Sequence, residues 1–181
     1  MVISISQVRM SSVPQYDDAW EFQEGLAAVR SGKKWGFIDP SNRYVIEPGF
    51  DDVLPHREGL APVAIDGKAG YIDRSGKFVI PPRFDDARQF REGKAAIRLN
   101  GKYGFIDKSG NIIIDPRFDG VSFFLYGLAA VRVNNKVGFI DPSGNYAIEA
   151  RYDNYLRSAM DFIELNRYLY KRESNKSRIY D

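Results

Sequence analysis

The feature that most limits what this chain can become is a phrase that returns every 34 residues. Gly36-Phe37-Ile38-Asp39, Gly70-Tyr71-Ile72-Asp73, Gly104-Phe105-Ile106-Asp107 and Gly138-Phe139-Ile140-Asp141 are evenly spaced copies of one unit. A fixed period of this size specifies a repeat architecture, in which each unit buries its apolar faces against its neighbours.

Within a unit, the run from Leu60 to Ile65 reads as a strand, Asp66-Gly67 as a hairpin turn and Lys68 to Asp73 as the returning strand. Arg74-Ser75-Gly76 then turns the chain into a third strand, Lys77 to Pro81. A linker from Phe84 to Gly93 follows, with room for a short fourth strand or a 3₁₀ turn. Both parities of the returning strand are apolar, Tyr71 on one side and Ile72 on the other, so the sheet is expected to be covered on both faces. The fold class that follows is all-β: tandem 34-residue, three-stranded antiparallel meanders, stacked as a β-solenoid or closed as a small propeller-like ring. Residues 1–21 hold half a repeat, 22–153 four repeats, and 154–181 a degenerate repeat expected to act as a cap, together one structural domain.

Composition narrows the function. The chain has 26 Lys and Arg against 24 Asp and Glu, a net charge of +2, which argues against nucleic acid as the main partner. There is no cysteine, hence no disulfide framework, thiol nucleophile or thiolate metal site. No window approaches the length of a membrane-spanning apolar helix, and the N-terminal run is broken by Ser4 and Ser6, so the expected location is the cytoplasm.

Lys34-Trp35-Gly36-Phe37-Ile38-Asp39, followed by a Ser turn, an apolar strand, Pro-x-Phe-Asp and Glu-Gly-Leu-Ala-x-Val, resembles the bacterial WG-repeat (KWG) family over roughly residues 12–153. That resemblance implies a β-repeat interaction scaffold and brings no catalytic residues. At the motif position tryptophan appears only at Trp35; Ala69, Tyr103 and Val137 stand in its place elsewhere.

The recurring residues read structurally first. Gly36, Gly70, Gly104 and Gly138 are mid-strand glycines, each expected to admit close approach by another strand or a ring. Asp39, Asp73, Asp107 and Asp141 precede Ser turns and are expected to fix them by accepting backbone N–H groups, not to form a metal row. Asp51, Asp85, Asp119 and Asp153 are expected to bond linker backbone or pair with Arg83, Arg117 and Arg151. Lys34, Lys68, Lys102 and Lys136 form either a basic ladder or solvated edge lysines. No metal and no cofactor is expected.

The linkers carry the candidate partner-binding residues. Phe123, Leu125 and Tyr126 replace mostly polar equivalents: Phe123 stands for Glu21, Pro55 and Gln89, and Tyr126 for Glu24, Glu58 and Glu92. Aromatic apolar surface of this kind suits a protein partner. The competing reading is that the cap covers it, with Tyr155, Leu156 and Phe162 packed on top. Arg57 and Arg91, and the single histidine His56 in a slot held elsewhere by Phe22, Phe90 and Phe124, complete the candidate set; His56 reads first as packing. With no Gly-x-Ser-x-Gly and no partnered histidine, the chain is expected not to be an enzyme. The expected function is a protein-interaction scaffold, for example an adaptor or an inhibitor of a toxin or effector; the alternative is a carbohydrate or small-ligand binder with one shallow site per repeat.

Overall fold

The computed structural model describes residues 15–153, and among them every regular element is a β-strand. The strands are β1 (Asp18–Ala19), β2 (Ala27–Ser31), β3 (Lys34–Ile38), β4 (Tyr44–Phe50), β5 (Asp52–Val53), β6 (Ala61–Ile65), β7 (Lys68–Ile72) and β8 (Phe78–Phe84). They continue with β9 (Asp86–Ala87), β10 (Ala95–Leu99), β11 (Lys102–Ile106), β12 (Ile112–Phe118), β13 (Gly120–Val121), β14 (Ala129–Val133), β15 (Lys136–Ile140) and β16 (Tyr146–Tyr152). Consecutive groups of four form four antiparallel sheets in simple meander order. Each repeat thus contributes a fourth strand of two residues, which the linker adds to the edge of the expected three-stranded meander. The described residues fall into two compact units, one ending at Pro116 and the other beginning at Arg117, with the border inside β12.

The double-sided burial inferred for the returning strand is observed in the first unit. Ile72 packs with Trp35, Phe37, Ile46 and Phe50 of the preceding repeat. Tyr71, on the other face of β7, packs with Phe90, Ala95, Ile97 and Ile106 of the following one. Both side chains are fully buried. The Tyr71 hydroxyl donates to the Arg88 carbonyl at 2.8 Å, and burial pushes the phenol far above its ordinary range. In the second unit Leu128, Ala130, Val137 and Phe139 form the corresponding cluster.

The mid-strand glycines are required by a bulge in the outer strand. Trp35 pairs with Phe50 and Phe37 with Ile46, so the single Gly36 faces the three residues Glu47, Pro48 and Gly49. The extra backbone folds over the glycine: a Cβ on Gly36 would lie 2.5 Å from the Ile46 carbonyl oxygen and 2.7 Å from the Pro48 nitrogen. Gly70 meets Ile80 and Pro82 at the same distances. The close approach expected at these positions is therefore made by the backbone of the adjacent outer strand. Pro48, Pro82 and Pro116 lie in outer strands at the open edge of their sheets, where proline interrupts no ladder.

Candidate functional site: the linker turns

Each linker ends in a two-residue turn closed by an isolated bridge: Gln23 with Leu26, Arg57 with Leu60, Arg91 with Lys94 and Leu125 with Leu128. Both central residues have positive φ, at 51° and 85° for Glu24-Gly25, 52° and 88° for Glu58-Gly59, 51° and 71° for Glu92-Gly93, and 51° and 75° for Tyr126-Gly127. This is type I′ hairpin geometry, which fixes the first central side chain at the tip of the turn. Glycine takes the second position without steric cost; at the first, glutamate and above all tyrosine are held in a conformation that non-glycine residues avoid.

In the first unit successive turns touch. Gly59 N donates to Glu24 Oε2 at 2.9 Å, and Gly93 N donates to Glu58 Oε2 at 3.1 Å. Lys108 Nζ pairs with the Glu58 carboxylate at 3.2 Å and donates to its carbonyl at 2.9 Å. Gln89 Nε2 adds a bond to the Pro55 carbonyl at 2.7 Å. Arg57 and Arg91 occupy the same position in two of these turns, immediately before Glu58 and Glu92, and both residues are half-buried. Partial burial, and then the neighbouring Arg57 charge, hold Arg91 below the ordinary arginine value.

His56 is placed in the core, 1% exposed, not on the surface a partner would meet. Its ring meets Phe37 edge-on at 4.8 Å, as Phe90 meets Tyr71 at 4.9 Å in the next repeat. Nε2 lies 3.2 Å from the Asp73 carbonyl, which can only accept, so Nε2 carries the proton. Nδ1 has no partner among the described residues. The physical reason for the burial is the slot itself, which takes an aromatic ring in every repeat.

In the second unit Phe123 is 44% and Tyr126 65% exposed, whereas Leu125 packs partly into the cluster around Leu128 and Phe139. Phe124, between them in sequence, is fully buried. The cap residues Tyr155, Leu156 and Phe162 lie outside the described residues.

The remaining recurrent residues build turns. Asp73 Oδ1 accepts from Ser75 N at 2.8 Å and Lys77 N at 3.1 Å, and Asp39, Asp107 and Asp141 accept from the equivalent amides. The Arg43 amide holds the Asp39 carboxyl below its ordinary value, as the Ser75 hydroxyl does that of Asp73 and the Asn111 side chain that of Asp107. Asp51 links two hairpins: it accepts from Asp66 N, in the turn between β6 and β7, at 2.8 Å and pairs with Lys34 of β3 at 2.5 Å. Lys68 pairs with Asp85 at 2.7 Å, and Lys136 pairs with Asp153. The lysine positions thus offer these paired, partly neutralised groups instead of a bare basic ladder. Arg83 and Arg117 do not pair with the linker aspartates. Each lies over the ring that follows it, at 5.0 Å for Phe84 and 4.9 Å for Phe118, and donates to a turn carbonyl, Gly110 and Gly144 respectively, at 2.6 Å. Among the described residues no group of three metal-ligating side chains comes together.

Sequence reasoning found the outlying linker but not the turns at its end. The signal was the recurrent Glu-Gly or Tyr-Gly dipeptide just before an apolar strand, and an X-Gly pair between strands is an I′ cue.

Matching structures include Kluyveromyces lactis Hsv2, at 11% identity and a TM-score of 0.49, covering 72% of this chain and 48% of that one. The chain thus spans about half the length of that protein. Others are the hemopexin-fold protein CP4 from cow pea (14% identity, TM-score 0.33, 78% of this chain and 94% of that one) and a Cicer arietinum lectin with two metal binding sites (11%, 0.30, 65% and 81%). No curated protein matches the chain. A family model described as WG containing repeat matches residues 14–35, 35–68, 70–103, 103–136 and 138–171. With five matched stretches over most of its length, the chain belongs to the WG-repeat family.

Proposed function

We propose that this chain is a non-enzymatic protein-binding scaffold, an adaptor or an inhibitor of a toxin or effector, whose partner meets the linker turns. One observation carries the reading: four linkers repeat the same I′ turn, while the residues at its tip change from Gln23-Glu24 to Arg57-Glu58, Arg91-Glu92 and Leu125-Tyr126. A constant frame that presents differing side chains on surface turns is how repeat proteins build recognition surfaces. In the second unit the tip is aromatic. Tyr126 is held at φ 51° and 65% exposed, a placement that costs on the order of 1 kcal/mol and that a purely structural turn would avoid with Asn or Gly. Large exposed aromatics of this kind serve as interface anchors.

A glycan site in each repeat has less support. Trp35 and Val137 occupy the recurring aromatic position and are buried within the sheets, so the position offers no repeated stacking platform. The test is capture of partners by the tagged chain from its native cells, comparing wild type with Phe123→Glu/Tyr126→Glu. The expected result is a stoichiometric partner lost in the double variant at unchanged melting temperature; the same partner retained in the variant contradicts the reading.

A further inference from the structure

We propose that the boundary between the first two sheets is an acid-released joint: a proton on His56 parts the first sheet (β1–β4) from the second (β5–β8), while the second and third stay closed. The joint stands whether or not the linker turns bind a partner. Its two neighbouring boundaries compare directly, because both lie in the first unit. Each carries the glutamate bond between turns, Gly59 N to Glu24 in one and Gly93 N to Glu58 in the other. Each also carries a lysine–aspartate pair, Lys34 with Asp51 and Lys68 with Asp85.

Four further ties join the second sheet to the third (β9–β12). The Tyr71 hydroxyl donates to the Arg88 carbonyl, Arg83 to the Gly110 carbonyl and Gln89 to the Pro55 carbonyl, and Lys108 pairs with Glu58. The first boundary has no counterpart of these. In the 34-residue register Phe37 stands for Tyr71 and has no hydroxyl, Gly49 stands for Arg83 and has no guanidinium, and Pro55 stands for Gln89 and has no side-chain donor. Arg74 stands for Lys108 and reaches the first turn, where a Cβ on Gly25 would lie 3.0 Å from its Nη2. Among the described residues it forms no hydrogen bond or ion pair with Glu24.

Apolar packing is left to hold this boundary, with Phe50 edge-on to Phe78 and Phe37 edge-on to the His56 ring. That ring is titratable where Phe90 and Phe124 are not. His56 Nε2 already donates to the Asp73 carbonyl, and Nδ1 is buried without a partner. A second proton therefore has no acceptor in the closed joint and gains one from water once Phe37 moves off the ring. Burial is the main influence against that proton, and Arg74 adds to it; the Asp73 carbonyl and the facing Glu24 and Asp73 carboxylates favour it. With the closed state the weaker proton acceptor, falling pH drives opening.

The experiment is hydrogen–deuterium exchange of the full chain, read by mass spectrometry at pH 7.5 and 5 and corrected for the intrinsic effect of pH on amide exchange. Protection of β2–β4 is expected to fall about five- to thirtyfold relative to that of β10 and β11. The upper bound is set at pH 5 by an open-state histidine of pKa about 6.5. The relative fall should vanish in His56→Phe. An equal change in all three sheets, or the same relative fall in His56→Phe, overturns the joint. Should His56→Phe misfold, Gly49→Arg compared with Gly49→Ala carries the test, since the added guanidinium is placed to meet the Gly76 carbonyl as Arg83 meets that of Gly110. Protection of β2–β4 at pH 5 should then rise severalfold over Gly49→Ala, and no rise overturns the proposal.

Discussion

At position 56 an imidazole fills the slot that holds a phenylalanine in the other repeats. Buried against Phe37, it gives one bond to the Asp73 carbonyl and leaves Nδ1 unpaired. Burial is the main cause that lowers its pKa from the ordinary 6.5; the Arg74 charge adds to it, while the Asp73 carbonyl and the Glu24 and Asp73 carboxylates oppose it. The unfolded chain therefore takes up a proton at higher pH than the folded one. Stability is complete above the unfolded value of about 6.5 and falls as pH drops through the lowered native value. Denaturant titrations from about pH 7.5 to 5 should show that loss in wild type and not in His56→Phe, whose ring fits the slot as Phe90 fits its own. Parallel pH profiles would contradict it. The depressed carboxyls of Asp39, Asp73 and Asp107 act in a separate window, below about pH 4.

The strand is where the repeat's glycine acquires its reason. Gly70 lies under the bulge of β8, and an added methyl would strike the Ile80 carbonyl and the Pro82 nitrogen, both backbone and unable to swing aside. Gly70→Ala should cost about 1–3 kcal/mol in chemical denaturation. Gly49→Ala, inside a bulge but with an added Cβ no closer than 3.9 Å to the Glu47 carbonyl oxygen and without positive φ, should be neutral or stabilising by up to about 1 kcal/mol. Equal losses at the two sites would show that the bulge does not explain the glycine. Most of the strand pattern was legible in the sequence, because Tyr71 and Ile72 are apolar on opposite faces and the flanking turns carry Asp, Ser and Gly. The short fourth strand was legible only as one of two alternatives for the linker, a strand or a 3₁₀ turn, because β5 is only Asp52–Val53, too brief for any periodicity to register. The route of Arg83, which carries its charge to the Gly110 carbonyl instead of a linker aspartate, was not legible, since only folding brings residues 27 apart together.

Across the molecule, comparing repeats was the means by which the candidate site could be read. Phe123 and Tyr126 stood out because their equivalents are mostly polar, and the structure leaves both substantially exposed. His56, the single histidine, is a core ring like its equivalents Phe90 and Phe124. The contact between successive turns was hidden, because it depends on bonds such as that from Gly93 N to Glu58, which join different repeats. On the proposed reading the linker turns, and not the outer strands, meet a partner. The most direct measurement is photo-crosslinking in native cells with p-benzoylphenylalanine at position 126, compared with position 45, where Val45 is 44% exposed on outer strand β4. A discrete crosslinked partner is expected from position 126 and none from position 45; crosslinking from position 45 alone would overturn the proposed role of the turns.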